Sequence, residues 1–358
     1  MSGPSTTALA DALAAGPVVL DGGMSNQLET AGHDLSDELW SARLLVDEPE
    51  AIEQAHAAYF AAGAQVAITA SYQASFEGFE RRGVEREQAV GLLRRSVELA
   101  RHAGETILSG SDGQGEQGTD LSASGGQPAS GRRGQPNVTL SVSDGQGNRD
   151  AGLSDSDGQS SQLGGRWVAA SVGPYGAALA DGSEYRGRYG LSVAQLEDFH
   201  RPRIMALVGA APDVLALETV PDIDEATALL HIVDSLGVPV WLSYTIAGDR
   251  TRAGQPLDEA FGLAASSSAV IAVGVNCCAP ADVSHAVKVA SSVTGKPVVV
   301  YPNSGEVWDA SARAWQGPNT FDAGLVRSWV ASGARLVGGC CRVGPAGVAA
   351  IRAALNAQ

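Results

Sequence analysis

Short apolar runs at residues 18–20, 66–69, 167–172, 214–217, 240–244, 270–275, 297–300 and 335–337 are each followed by residues of helical periodicity. This alternation constrains the fold more than any other feature of the chain. Strands that alternate with helices lie parallel, because a parallel pair needs a crossover long enough to hold a helix. Eight such units close into a (β/α)8 TIM barrel, the expected fold class. The rival is an open doubly wound sheet, which would place a Gly-x-Gly-x-x-Gly turn after the first strand. The chain has Asp21-Gly22-Gly23-Met24 there instead. A short helix over residues 7–15 leads into the first strand. One later helix carries Ile52, Ala55, Tyr59 and Phe60 and stops at Gly63, and another over residues 86–103 aligns Val90, Leu93, Val97 and Ala100.

The pattern stops between residues 109 and 165. Gly, Ser, Gln and Asp dominate there, and Ser-Asp-Gly-Gln recurs at Ser111, Ser143 and Ser156. Such a segment buries too little apolar surface to offset its ordering entropy. It reads as a disordered, low-complexity insertion between the second helix and the third strand, hanging from the barrel floor without a catalytic part. Strand–helix alternation resumes after it, so a single barrel domain is expected over residues 1–358.

The formal net charge is −16, which argues against nucleic acid or an anionic membrane surface as a partner. Residues 1–7 lack the basic and apolar regions of a signal peptide, and no run reaches the roughly 18 apolar residues of a membrane span. The expected location is the cytoplasm. Four cysteines in 358 residues are not a disulfide framework, and in a reducing compartment they read as metal ligands or reactive thiols.

Chemistry in such a barrel sits at the C-terminal ends of the strands. Those ends carry Asp21, Tyr72, Tyr175, Glu218, Asn276, Cys277, Asn303, Cys340 and Cys341. The cysteines form two vicinal pairs, Cys277-Cys278 and Cys340-Cys341, neither with Cys-x-x-Cys spacing. The sixth and eighth strands lie two steps apart, roughly 10 Å, a gap that inward side chains can close to the Zn–S distance of about 2.3 Å. Cys277 is expected to face inward rather than Cys278, since neighbouring strand residues face opposite ways. Three thiolates with an open fourth position describe a catalytic zinc site. Spacing alone is equally compatible with buried or redox-active pairs, which would make this a thiol redox or metal-binding protein. None of the six histidines is placed as a metal ligand.

A zinc ion held by thiolates can bind a substrate thiol and keep it deprotonated near neutral pH. Asp21 and Glu218 suit an ammonium group, and the Gly22 and Gly23 amides suit a carboxylate; together they would hold an amino-acid zwitterion. The other reading of these residues is a tight turn with structural carboxylates. Asn276, beside Cys277, joins the substrate-binding set. Trp40, Tyr72, Tyr175, Tyr244 and Tyr301 lie on or near the same rim, either as packing residues or as aromatic faces for a cationic ligand such as a sulfonium.

With these residues in place, the chain resembles the homocysteine S-methyltransferases, zinc-dependent barrel enzymes that methylate homocysteine to methionine. Gly274-Val275-Asn276-Cys277 and Gly338-Gly339-Cys340-Cys341-Arg342 match that family's zinc-ligand motifs, and Asp21-Gly22-Gly23 and Leu217-Glu218-Thr219 its homocysteine-binding segments. The likeness covers nearly everything outside residues 109–165. Strings such as Gly173-Pro174-Tyr175-Gly176-Ala177, Asp181-Gly182-Ser183-Glu184-Tyr185-Arg186-Gly187 and Tyr301-Pro302-Asn303-Ser304-Gly305-Glu306 look closest to the short bacterial and plant enzymes that use S-methylmethionine or S-adenosylmethionine. The resemblance implies Zn2+ on Cys277, Cys340 and Cys341, homocysteine as acceptor, and one direct displacement from a sulfonium methyl. The betaine-using branch is the runner-up. Cys278 departs from the pattern in having no ligand role.

Overall fold

The computed structural model describes residues 8–35, 41–111, 165–309 and 314–357. The chain divides into two units, Met1–Ser111 with Gly165–Gln358, and Asp112–Gly164. The second unit, and with it nearly all of the expected insertion, lies outside the described residues.

Eight strands form one sheet: β1 (Val18–Val19), β2 (Val66–Ile68), β3 (Trp167–Val172), β4 (Val214–Val220), β5 (Val240–Tyr244), β6 (Val270–Asn276), β7 (Val298–Tyr301) and β8 (Ala334–Val337). Their order is β1-β8-β7-β6-β5-β4-β3-β2, with every pairing parallel. The two ends of that order meet, because Leu20 bridges Val66 in parallel. Gln65 N–H donates to the Val19 carbonyl at 2.8 Å, and Asp21 N–H to the Val66 carbonyl at 3.1 Å. This is the (β/α)8 barrel expected from the alternation.

Strand parity then decides what faces the mouth. In β4, Val214 and Ala216 pack inside the barrel while Leu215 and Leu217 pack against the helices, so Glu218 comes next on the inside. By the same count Ser171, Ser243, Asn276 and Tyr301 point inward at the ends of β3, β5, β6 and β7. Tyr244 points the other way, and its hydroxyl donates to the Ala260 carbonyl at 2.8 Å; the rim position expected for it is corrected. Below the mouth the interior is apolar: Leu9 and Leu13 of the helix Leu9–Ala15 pack with Val18, Leu20, Trp167 and Trp241. Burying an indole such as that of Trp241 removes roughly 150–250 Å² from water, about 5 kcal/mol of gross transfer energy. Its N–H finds the Tyr301 hydroxyl at 3.0 Å, so the floor of the site is also the roof of the core. Close packing is strictest at Gly274, where a Cβ would lie 1.8 Å from the Val299 carbonyl oxygen.

Helix boundaries differ from expectation in length rather than existence. The helix expected over 86–103 runs Arg86–Ser111. Two hairpins were not expected, Ile246–Ala247 with Arg250–Thr251 and Val307–Asp309 with Ala314–Gln316. Strands of two or three residues carry too little alternation to be read from sequence.

Candidate active site

The three thiols reach one point by two different routes. β6 ends with Asn276 facing inward, and strict alternation would send Cys277 outward. Cys277 instead adopts a left-handed backbone, φ 47°, which swings its side chain back towards the mouth. Its N–H donates to the Tyr301 carbonyl at 3.3 Å, and its carbonyl accepts from Thr245 Oγ1 at 3.1 Å. Cys278 is fully buried in the layer between barrel and helices. After β8, Gly338 N–H donates to the Val300 carbonyl and Gly339 N–H to the Asp21 carbonyl, and the chain then turns. Cys340 N–H donates to the Pro302 carbonyl at 2.8 Å and Cys341 N–H to Asn303 Oδ1 at 3.1 Å.

The segment after β7, the strand between β6 and β8, sets both turns. Asn303 takes the Cys341 amide with its side chain and gives its own N–H to the Cys278 carbonyl at 3.0 Å. As a result the sulfurs of Cys277 and Cys340 lie 2.6 Å apart, those of Cys340 and Cys341 4.0 Å apart, and all three within 4.8 Å of one another. All four cysteines are free. Hydrogen bonds from Cys277 and Cys340 hold the Cys341 thiol well below the usual range, whereas the same contacts and burial push Cys340 well above it. A divalent cation would favour ionisation of all three thiols. This soft, closely spaced donor set fits Zn2+ with a fourth position open to the cavity.

That cavity has a volume of about 450 Å³. Its wall includes the three thiols, the carboxylates of Glu29, Asp34, Glu184 and Glu218, the imidazole of His33, and the rings of Tyr72, Tyr185, Tyr301 and Trp315, with no lysine or arginine among the described residues. Glu218 accepts from Ser171 Oγ through Oε1 and from the Tyr301 hydroxyl at 3.0 Å through Oε2. Burial, reinforced by Cys277, pushes its carboxyl up to about 7 against the two hydrogen bonds that pull the other way.

Asp21 is 1% exposed and stands behind the wall rather than in it. Its Oδ2 accepts from Ile68 N–H at 2.8 Å while Oδ1 has no partner, and burial pushes its carboxyl well above the usual range. Gly22 and Gly23 line the cavity, but Gly23 N–H already donates to the Val343 carbonyl at 2.9 Å. Of the carboxylate cradle expected from the two amides, the Gly23 half is thus engaged by the protein itself. A Cβ on Gly22 would come within 2.2 Å of that same Val343 oxygen, and one on Gly23 within 2.7 Å of the Cys340 oxygen. Their glycine character lets the first and last strand ends touch.

Asn276 does not reach the cavity. Its Oδ1 accepts from Thr219 N–H at 2.7 Å and from Ser243 Oγ at 2.8 Å, and its Nδ2 donates to Thr219 Oγ1 at 2.7 Å. Through these bonds it fixes the left-handed Thr219 (φ 58°) that follows Glu218. Tyr72 lines the cavity. Tyr175 does not, because it opens the helix Tyr175–Leu179 and packs on Tyr189 and Phe199 with ring centroids 5.2 and 4.9 Å away. Trp40 lies outside the described residues. Sequence reasoning gave no role to Glu184, Tyr185, Ser171 or Tyr59, whose hydroxyl donates to the Gly23 carbonyl at 2.9 Å. For Ser171 the signal was strand parity; for Glu184 and Tyr185 it was only their presence in the polar string Asp181–Gly187 after β3.

A barrel mouth that gathers three thiols beside four carboxylates is suited to a thiolate-held metal and to a ligand carrying positive charge. A model of the homocysteine S-methyltransferase family matches residues 18–355. The homocysteine S-methyltransferase of Escherichia coli K12 is 39% identical over 341 residues, 94% of each chain. The homocysteine S-methyltransferase YbgG of Bacillus subtilis is 36% identical over 340 residues, 94% of this chain and 93% of that one. The metallated form of the homocysteine methyltransferase MmuM from E. coli superposes with a TM-score of 0.73 at 38% identity, covering 94% of this chain and 96% of the other. The chain belongs to the homocysteine S-methyltransferase family.

Proposed function

We propose that this protein transfers a methyl group from a sulfonium donor, S-methylmethionine or S-adenosylmethionine, to the sulfur of homocysteine, with Zn2+ on Cys277, Cys340 and Cys341. The observation that carries the reading is the meeting of the three thiols in a cavity with four carboxylates and, among the described residues, no lysine or arginine. Zinc bound there supplies the Lewis acidity that keeps a thiol ionised near neutral pH.

The residues supply everything else. Glu218 is held by Ser171 and Tyr301, and its remaining lone pairs receive the homocysteine ammonium. Asp21, whose Oδ1 has no partner, stands behind it as a second acceptor. Gly22 lines the cavity and offers its amide to the homocysteine carboxylate. Tyr72 and Tyr185 line the same cavity and offer ring faces to the donor's positive charge. In the transfer, the acceptor sulfur forms a bond to the methyl carbon as the donor's sulfonium–carbon bond breaks. That electron pair returns to the donor sulfur, which leaves as a neutral thioether. The thiol proton departs on binding, so the transfer itself needs no general base.

Free thiols suit a reducing cytoplasm, and among the described residues no helix is long and apolar enough to cross a membrane. The test is turnover of zinc-loaded protein with homocysteine and, separately, S-methylmethionine, S-adenosylmethionine and betaine. Methionine should form with at least one sulfonium donor and not with betaine, at about one zinc per chain. Glu218→Gln should raise the KM for homocysteine about 10- to 100-fold with zinc content unchanged. Full zinc occupancy without turnover of any sulfonium would overturn the reading.

A further inference from the structure

Glu184 stands apart from the other groups of the cavity. It belongs to the turn Ser183–Tyr185, in the loop after β3, and is only 9% exposed. The loop is fixed before any ligand arrives. Ser183 N–H donates to Asp181 Oδ1 at 2.9 Å, Gly187 N–H to the Ser183 carbonyl at 3.0 Å, and Arg188 N–H to Asp222 Oδ2 at 3.0 Å. The turn rests directly on Gly176, where a Cβ would lie 2.4 Å from Glu184 N. Glu184 is thus carried into the cavity wall on a braced backbone, yet its Oε2 is buried with no hydrogen-bond partner.

Glu218 is the instructive contrast, since both of its oxygens accept from protein hydroxyls. A carboxylate taken out of water without a partner is costly, and the cost is recovered when a cation meets it. Among the described residues no lysine or arginine lines the cavity to do so. A cationic ligand would supply that partner. If Glu218 and Asp21 take the ammonium of homocysteine, as proposed above, Glu184 is left for the second substrate.

We propose that Glu184 is the anchor for the methyl donor, pairing with its positive charge so that cationic donors are selected over neutral ones. The inference rests on the methyl-transfer reading, and the closing experiment separates the two. Glu184→Gln keeps shape and removes charge. It should raise the KM for S-methylmethionine about 10- to 100-fold while the KM for homocysteine stays within about twofold. Zinc content and melting temperature should not change. Methylation of bound homocysteine by iodomethane, a neutral donor that releases iodide, should proceed within about twofold of the wild-type rate. Glu184→Asp, which restores the charge on a shorter stem, should recover part of the donor affinity.

An unchanged KM for S-methylmethionine in Glu184→Gln overturns the anchor and leaves the methyl-transfer reading standing. So does an equal loss towards iodomethane and homocysteine, which marks a structural role. Wild-type protein inactive with every sulfonium overturns both.

Discussion

Cys277-Cys278 and Cys340-Cys341 are the same dipeptide at the ends of two parallel strands, but the first delivers one thiol to the cavity and the second delivers two. At β6 the chain keeps its extended form through Asn276, and a single left-handed residue redirects Cys277 while Cys278 drops into the core. At β8 the strand has already ended. A Cβ on Gly338 would lie 2.5 Å from the Leu20 Cβ and one on Gly339 2.2 Å from the Val343 side chain. The glycines let the chain curl until Val343 N–H closes on the Cys340 carbonyl at 3.1 Å. Both thiols of that turn then face the same way. Alternation supplies one inward group for every two residues; adjacent ligands require the strand to stop.

The comparison can be broken most severely at the thiols themselves. Cys277→Ala, Cys340→Ala and Cys341→Ala should each lose zinc retention and lower turnover by about a thousandfold or more, read by metal analysis and methionine formation. A variant with full zinc and full activity would remove that thiol from the site.

The glycines come next. Gly338→Ala forces backbone apart and should cost about 3 kcal/mol in denaturant unfolding. Gly16→Ala, with nothing within 4 Å of the added carbon, should change stability by less than about 0.5 kcal/mol. Equal costs at the two positions would mean the curl at β8 has room to spare.

Asn303 tests whether one residue holds both turns. Asn303→Ala leaves the Cys341 amide without its acceptor and should weaken zinc about 10- to 100-fold in chelator competition, with the fold retained. The smallest effect is expected at Cys278→Ala: zinc stoichiometry and turnover within about twofold of wild type, and about 1–2 kcal/mol of stability lost to the small cavity. A large loss of zinc there would show that the two dipeptides are less different than their geometry.

Periodicity makes the eight-stranded barrel legible, since inward and outward residues separate cleanly along β3 to β7. It also makes Glu218 legible as an inward group at a strand end. It does not reach beyond the last regular residue. Cys277 was selected by counting alternation, yet it faces the cavity because alternation fails there, at a φ that no spacing rule encodes. Asn276 and Tyr175 occupy strand ends as counted, but a hydrogen-bond network and a short helix turn them to other partners. Glu184 depends on a loop fold specified by Gly176 and Asp222 at a distance, so nothing local in its sequence marks its orientation.

The barrel has one narrow seam. β1 pairs with β8 through two residues, and with β2 through the Leu20–Val66 bridge, two backbone hydrogen bonds and the Asp21 carboxylate on Ile68 N–H. β5 and β6, by contrast, pair along five positions. Native-state fluctuations open the least-braced element first, so amide protons at Asp21, Gln65 and Ile68 should exchange ahead of those at Leu215 and Val273. Cys277 stands away from that seam at the end of β6, Cys340 and Cys341 follow β8 at its border, and Asp21 is part of it. A barrel that breathes between β1 and β2 would undo the Asp21 side of the proposed amine pocket while β6, β7 and β8 stay paired beneath the three thiols, so substrate would loosen before any metal held there.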